Sequence, residues 1–216
     1  MSHFDRVTEV WGALRYMDEP RARFMRDIID RENCEDLLEI GFWKGKSSAY
    51  FAAILEDRGR GHLTTIDRKK GGDFQPRIEE VLTKVGLAHR VTPIHAHRSY
   101  SWILARMLEK QPRPVFDFCY FDGGHTWDNT ALGLLLVEML LRPGGILVVD
   151  DLNWTIDASI ARTPSLAKKY ASYSPNERRA HPVKMAWDHI VPRLGFENLS
   201  VEPAFHWGIA RKPALA

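Results

Sequence analysis

The chain has 216 residues, 44% of them hydrophobic and 27% charged, with 30 basic residues against 28 acidic. This composition belongs to a globular domain that buries its own core, and the near-balanced charge argues against a nucleic-acid binder. Cys34 and Cys119 stand apart and form no C-x-x-C pair, which disfavours a disulfide framework or zinc site and fits a reducing, cytoplasmic setting.

The first residues, MSHFDRVTEVWGAL, carry acids and lack an apolar core of signal-peptide length. No window reaches the ~18 apolar residues of a membrane span. Val7, Val10, Trp11 and Leu14 share one helical face, Phe24, Met25, Ile28 and Ile29 form another run, and Pro20 separates the two. Residues 1–34 read as a helical extension ahead of a domain over 35–216, and they are the candidate surface for a homodimer.

From residue 36 strands and helices alternate. Strands are expected over 36–41, 62–67, 90–96, 115–122 and 144–151, with helices over 45–59, 75–86, 99–110 and 126–141 between them. The last helix, with its run ALGLLLVEMLL, reads as buried. A polar loop after the second strand holds Arg68, Lys69 and Lys70 and the pair Gly71 and Gly72. Residues 153–182 are polar and read as helix and loop over the site. A helix is expected over 183–195 with a bend at Pro192, and 196–212 reads as a hairpin on the sheet edge. The alternation defines an α/β fold, doubly wound, with a mostly parallel seven-stranded sheet and an antiparallel C-terminal strand.

The stretch LEIGFWKGKSS follows the first strand. A triphosphate loop needs four residues between its glycines, and Gly41 and Gly45 enclose three. A dinucleotide fingerprint needs three glycines, and two are present. Glu39-x-Gly41-x-x-x-Gly45 at a strand-to-helix turn instead resembles the first motif of class I S-adenosylmethionine-dependent methyltransferases. Gly41 lets the backbone approach a bound amino-acid moiety, and Gly45 allows tight passage into a helix whose N-terminus faces a carboxylate. Glu39 is placed to meet an ammonium group, and Ser47 and Ser48 offer hydroxyls or cap the helix. Asp67 ends the second strand, where a carboxylate accepts hydrogen bonds from ribose hydroxyls. In the family resembled, the tip of the third strand lies near the adenine, which implies Ala96 and His97 there and leaves Ser99 to cap the next helix.

The chemistry-bearing stretches are YFDGGHTWDN (120–129) and LVVDDLNW (147–154). Their strands are expected to be neighbours, about 4.8 Å apart, which crowds Asp122, Asp150 and Asp151 at one rim. Carboxylates that close take up protons or share a cation, and a hard ion such as Mg²⁺ suits oxygen ligands. His125 follows Asp122 across two glycines and suits a general base. FDGGHTWDN resembles the signature of a methyltransferase group that includes Mg²⁺-dependent macrolide sugar O-methyltransferases. The resemblance implies Asp122, Asp150 and Asp151 as metal ligands, Asp122 also beside the cofactor, and His125 as base. The positions also resemble the metal acids of catechol O-methyltransferase, where the last ligand is an amide. The expected activity is methyl transfer from S-adenosyl-L-methionine to a hydroxyl of a small molecule, with Mg²⁺, with neither nucleic acid nor membrane as partner. A metal-independent methyltransferase of the same fold and a non-catalytic cofactor-binding module stay open. Trp127, Trp154, Tyr170, Tyr173 and Trp187 are candidates for the acceptor pocket.

Overall fold

The computed structural model describes residues 1–68 and 75–214; Lys69, Lys70, Gly71 and Gly72 of the expected polar loop lie outside the described residues. Two helices open the chain where the sequence caps them. α1 (His3–Trp11) begins at Ser2, whose side chain accepts from the Asp5 N–H, and α2 (Glu19–Arg31) begins at Asp18, which accepts from the Arg21 N–H. Pro20 sits in the first turn of α2, where its missing N–H leaves no bond unmade. Both helices pack on α3 (Lys46–Asp57) through Phe4, Val7, Met25 and Ile29, all fully buried.

The strands are β1 (Asp36–Ile40), β2 (His62–Arg68), β3 (Val91–Ala96), β4 (Phe116–Phe121), β5 (Leu141–Val149), β6 (Glu197–Glu202) and β7 (Trp207–Arg211). They form a seven-stranded sheet in the order β3-β2-β1-β4-β5-β7-β6. β7 runs antiparallel to both neighbours, so the other strands share one direction. Between the parallel strands lie α4 (Ile78–Val85), α5 (Tyr100–Leu108) and α6 (Trp127–Glu138). The C-terminal third adds α7 (Ile156–Arg162), α8 (Pro175–Arg179) and α9 (Pro182–His189).

Strand side chains alternate between two cores, as a period of two requires. Leu37, Phe118, Tyr120 and Val148 face α1 to α4, whereas Leu38, Cys119, Phe121 and Leu147 face α5, α6 and α9. Apolar residues therefore fill both faces of the central strands, which explains their near-continuous hydrophobic runs.

Two details depart from the sequence expectation. β5 starts at Leu141, ahead of Pro143, because the Phe116 N–H bonds to the Leu140 carbonyl at 2.9 Å and a register shift between Phe116 and Phe118 absorbs the interruption. α6 is buried on one face only: Thr130, Gly133, Leu134 and Val137 point inward, while Leu132, Leu135 and Met139 are 48%, 42% and 44% exposed. The bend at Pro192 is real, since α9 gives way there to a 3₁₀ turn over Val191–Leu194.

Lys46, the residue a triphosphate loop would aim at its ligand, is buried and turned the other way. Its Nζ donates to the carbonyls of Gly12 at 2.9 Å and Leu14 at 2.7 Å. It ties the α1–α2 connection to the start of α3, and burial pulls its pKa down.

Candidate active site

The register of the parallel strands sets the expected residues in one row. Ile66, Ile40, Phe121 and Val149 lie side by side in four neighbouring strands. One step further along come Asp67, Gly41, Asp122 and Asp150. The ladder continues past the strands: Gly41 N–H donates to Ile66 O at 2.8 Å, Asp122 N–H to Ile40 O at 2.8 Å, and Asp150 N–H to Phe121 O at 3.0 Å. These residues share the carboxyl rim of the sheet. The strand order reverses between β1 and β4, where open α/β sheets form their ligand crevice.

The glycine loop is built against this row. Gly41 has φ +95°, and a Cβ there would stand 1.9 Å from the Asp122 carbonyl oxygen. Gly45 has φ +89° as N-cap of α3, and a Cβ there would lie 2.5 Å from Ile78 of α4. Between them the Trp43 N–H donates to Asp67 Oδ2 at 2.7 Å, and the Arg68 N–H donates to Asp67 Oδ1 at 2.6 Å. Each oxygen of this half-buried carboxylate keeps a lone pair for a further donor. Ala96 closes β3 and is buried, and His97 beside it is exposed. Ser99 caps α5, accepting from the Ser101 N–H at 3.1 Å.

Glu39 lies one layer below the loop, fully buried. Its Oε2 accepts from Ser48 Oγ and, at 2.5 Å, from Thr65 Oγ1, while Oε1 has no well-angled partner. Burial drives its pKa up to about 7, against the opposing hydrogen bonds of Ser47, Ser48 and Thr65. The folded protein thus holds a proton that the unfolded chain releases from pH 4.5 upward. Stability contributed by the neutral form is complete below that pH and is lost as pH rises toward 7, by roughly 3 kcal/mol for this shift. Glu39→Gln is expected to remove that fall, read as the difference between variant and wild type in urea unfolding at pH 4.5 and pH 7.5.

At the other side of the row the acids converge on an imidazole. His125 Nε2 lies 2.6 Å from Asp151 Oδ2 and 3.7 Å from Asp122 Oδ1, yet it makes no well-angled hydrogen bond to either. Donor atoms of Asp122, His125 and Asp151 all fall within 4.8 Å of one another. Asp151 reaches this position because its backbone is left-handed, φ 61°, a conformation aspartate tolerates. Asp150 is engaged elsewhere: Oδ2 accepts from the Tyr120 hydroxyl and Oδ1 from the Asp151 N–H at 2.5 Å. The imidazole stacks on Trp154, 5.1 Å between centroids and 18° between planes. Thr130 Oγ1 donates to Gly124 O at 2.9 Å and fixes the turn that carries His125.

The charge balance of this cluster is negative. Burial and the charges of Asp150 and Asp151 hold the Asp122 carboxyl well above its ordinary range, although His125 opposes this. Burial and Asp151 raise Asp150 to about 6. Burial would keep His125 neutral, but its contacts with Asp122 and Asp151 win and raise it to about 10. Two carboxylates whose oxygens converge this closely beside the imidazole fit a site for a hard divalent cation held through those oxygens.

Sequence reasoning missed three contributors. Trp43 acts through its backbone N–H on Asp67, and Tyr120 commits Asp150. The third, Tyr16, packs edge-on against Trp43 at 5.0 Å and brings the N-terminal segment over the glycine loop. Trp154, a pocket candidate in the sequence, supports His125. Of the pocket candidates, Trp187 belongs to the core, pressed on Gly208, whose Cβ would sit 2.6 Å from it.

A methyltransferase-domain family model matches residues 38–152, more than half of the chain. The chain belongs to this methyltransferase family. Its fold is that of class I S-adenosylmethionine-dependent methyltransferases. The O-methyltransferase TomG of Streptomyces achromogenes, involved in tomaymycin synthesis and solved with S-adenosylmethionine, is 19% identical, with TM-score 0.67 over 99% of this chain and 91% of that one. An O-methyltransferase of Bacillus cereus in complex with S-adenosylhomocysteine is 15% identical, with TM-score 0.65 over 97% of this chain and 90% of that one. MycE, a methyltransferase of the mycinamycin pathway solved with Mg and S-adenosylhomocysteine, is 17% identical, with TM-score 0.58 over 98% of this chain and 55% of that one. At these identities the likeness is one of fold. No curated protein matches the chain significantly. Among the described residues no helix is long and apolar enough to cross a membrane.

Proposed function

We propose that the protein transfers the methyl group of S-adenosylmethionine to a hydroxyl of a small-molecule acceptor, assisted by a divalent cation, Mg²⁺ by preference, held at Asp122 and Asp151. The observation that carries this reading is the shared rim: the glycine loop, Asp67 and the Asp122–His125–Asp151 cluster lie on adjacent strand ends. The O-methyltransferase neighbours, solved with the methyl donor or its product, support it, and MycE supports the cation.

In this reading the backbone of Gly41 to Gly45 holds the methionine moiety, and Ser47 borders it at the first turn of α3. Glu39 steadies that turn from beneath through Ser48. Asp67 takes the ribose hydroxyls with the lone pairs its backbone bonds leave free, and Ala96 and His97 border the adenine. Asp122, next to Gly41, stands between the donor and the acceptor. Asp122 and Asp151 would hold the cation, while Asp150 orients Asp151 through its backbone N–H. When bound, the cation supplies a Lewis acid that lowers the pKa of an acceptor hydroxyl and fixes its angle. His125, kept in plane by Trp154, carries a proton while Asp122 and Asp151 face it alone; with their charge taken up by a bound cation, its imidazole would be free to take the acceptor proton at Nε2. The chain contributes mainly position, because the donor is already activated.

The contact of 2.6 Å between His125 and Asp151 favours a second reading, in which these two form an ion pair in the site and methyl transfer proceeds without a cation. Chelation separates the two. Methyl transfer, followed as S-adenosylhomocysteine formed, is expected to fall at least about tenfold with chelator and to return with Mg²⁺. Unchanged turnover would select the metal-independent reading.

A further inference from the structure

Residues beyond the family match build a roof next to His125. Trp154 stacks on the imidazole, Tyr170 meets Trp154 edge-on at 6.3 Å, and Tyr173 meets Tyr170 at 5.5 Å. Between this roof, the start of α9 and the first turn of α6 is a cavity of about 510 Å³. That volume suits a small molecule. Thr126, the residue that follows His125 in the chain, is part of its wall.

The lining is apolar and acidic. Trp127, Ile156, Tyr173 and Met185 supply apolar surface, and Asp128 and Glu177 supply charge; among the described residues no lysine or arginine lines it. Neighbouring cations are engaged by other groups. Arg178 pairs with Asp157 at 2.7 Å, Lys169 lies over the Tyr170 ring at 4.6 Å, and Lys184 pairs with Asp188 at 2.5 Å. Burial raises the pKa of the Tyr173 phenol, and Asp128, Tyr170 and Glu177 add to it. An anionic ligand there would meet two carboxylates with no compensating cation among the described lining residues.

Resting on the methyl-transfer reading above, we propose that this cavity is the acceptor site and that it selects an apolar hydroxyl compound bearing an amine, with Asp128 and Glu177 turning away carboxylated and phosphorylated acceptors. The test uses three catechols of similar size that differ in the tail: dopamine with an ammonium, propylcatechol with none, and dihydroxyphenylpropanoate with a carboxylate. Each is titrated into the protein saturated with S-adenosylhomocysteine and Mg²⁺. The expected order of affinity is ammonium, neutral, carboxylate, with at least about tenfold between the extremes. The double variant Asp128→Asn, Glu177→Gln should compress that range to about threefold or less; glutamine keeps the α8 cap that Glu177 makes with Ser174. Equal affinities, a reversed order, or an order the double variant leaves intact would overturn the proposal. Binding of none of the three while S-adenosylhomocysteine binds would overturn the cavity assignment and leave the methyltransferase reading standing. Failure of S-adenosylhomocysteine itself to bind would remove that reading as well.

Discussion

Gly41→Ala is expected to abolish cofactor binding and to destabilise the protein by about 3 kcal/mol or more. Two costs combine. The residue sits at φ +95°, where an L side chain is strained. The new Cβ would also stand 1.9 Å from the Asp122 carbonyl oxygen and 2.8 Å from its carbon. Those are backbone atoms, and no rotamer relieves the clash. Relief would require pulling apart the bonds from Gly41 N–H to Ile66 O and from Asp122 N–H to Ile40 O, both 2.8 Å. The separation of the glycine loop from the acid cluster would follow, so binding and stability fall together. Gly86→Ala is the control: φ is +77° there, but no atom lies within 4 Å of the new Cβ. It should cost about 1 kcal/mol in urea unfolding and leave S-adenosylhomocysteine affinity unchanged.

Asp151→Asn is expected to lower kcat/KM for methyl transfer by about 10²–10³-fold with little change in stability. Asparagine tolerates the left-handed backbone at φ 61°, so the chain path is kept. What changes is charge. Asp151 lies 2.6 Å from His125 Nε2 and is one of the groups that raise Asp122 and Asp150. Removing one of three crowded carboxylates relieves repulsion but also takes away a partner of the His125 charge, so the two effects offset and stability should change little while activity falls. Asp150→Asn should give the smaller loss, because the amide oxygen still accepts from the Tyr120 hydroxyl and Asp150 does not face His125. Steady-state kinetics beside urea unfolding for both variants reads this contrast. A larger loss at Asp150 than at Asp151 would assign the cation to Asp150.

Much of this arrangement was legible in the chain because it rests on local chemistry. Strand-end acids at Asp67, Asp122 and Asp150, and the glycine turn at Gly41, are punctuation marks that a parallel sheet places in one row. The strand–helix alternation carried the fold for the same reason. Other features depend on partners far away in sequence. Which aspartate of the pair faces His125 is decided by Tyr120 from β4, which holds Asp150, and by the left-handed backbone of Asp151. That Lys46 is a tether depends on the distant carbonyls of Gly12 and Leu14. The apolar run of α6 looked buried all round, yet its outer stripe of Leu132, Leu135 and Met139 is exposed, because α6 covers the sheet with one face. Residues 153–182 were expected over the site and Trp154, Tyr170 and Tyr173 were named as candidates, but their mutual contacts could not be read, since they join short helices whose packing no periodicity specifies.

The central claim is that one rim of the sheet binds an S-adenosyl cofactor between the glycine loop and Asp67. Calorimetric titration of S-adenosylhomocysteine tests it most directly. Saturable binding at one site per chain, weakened at least about tenfold by Asp67→Ala, is the predicted result. Absence of binding to the intact protein, or full affinity in the Asp67→Ala variant, would contradict it.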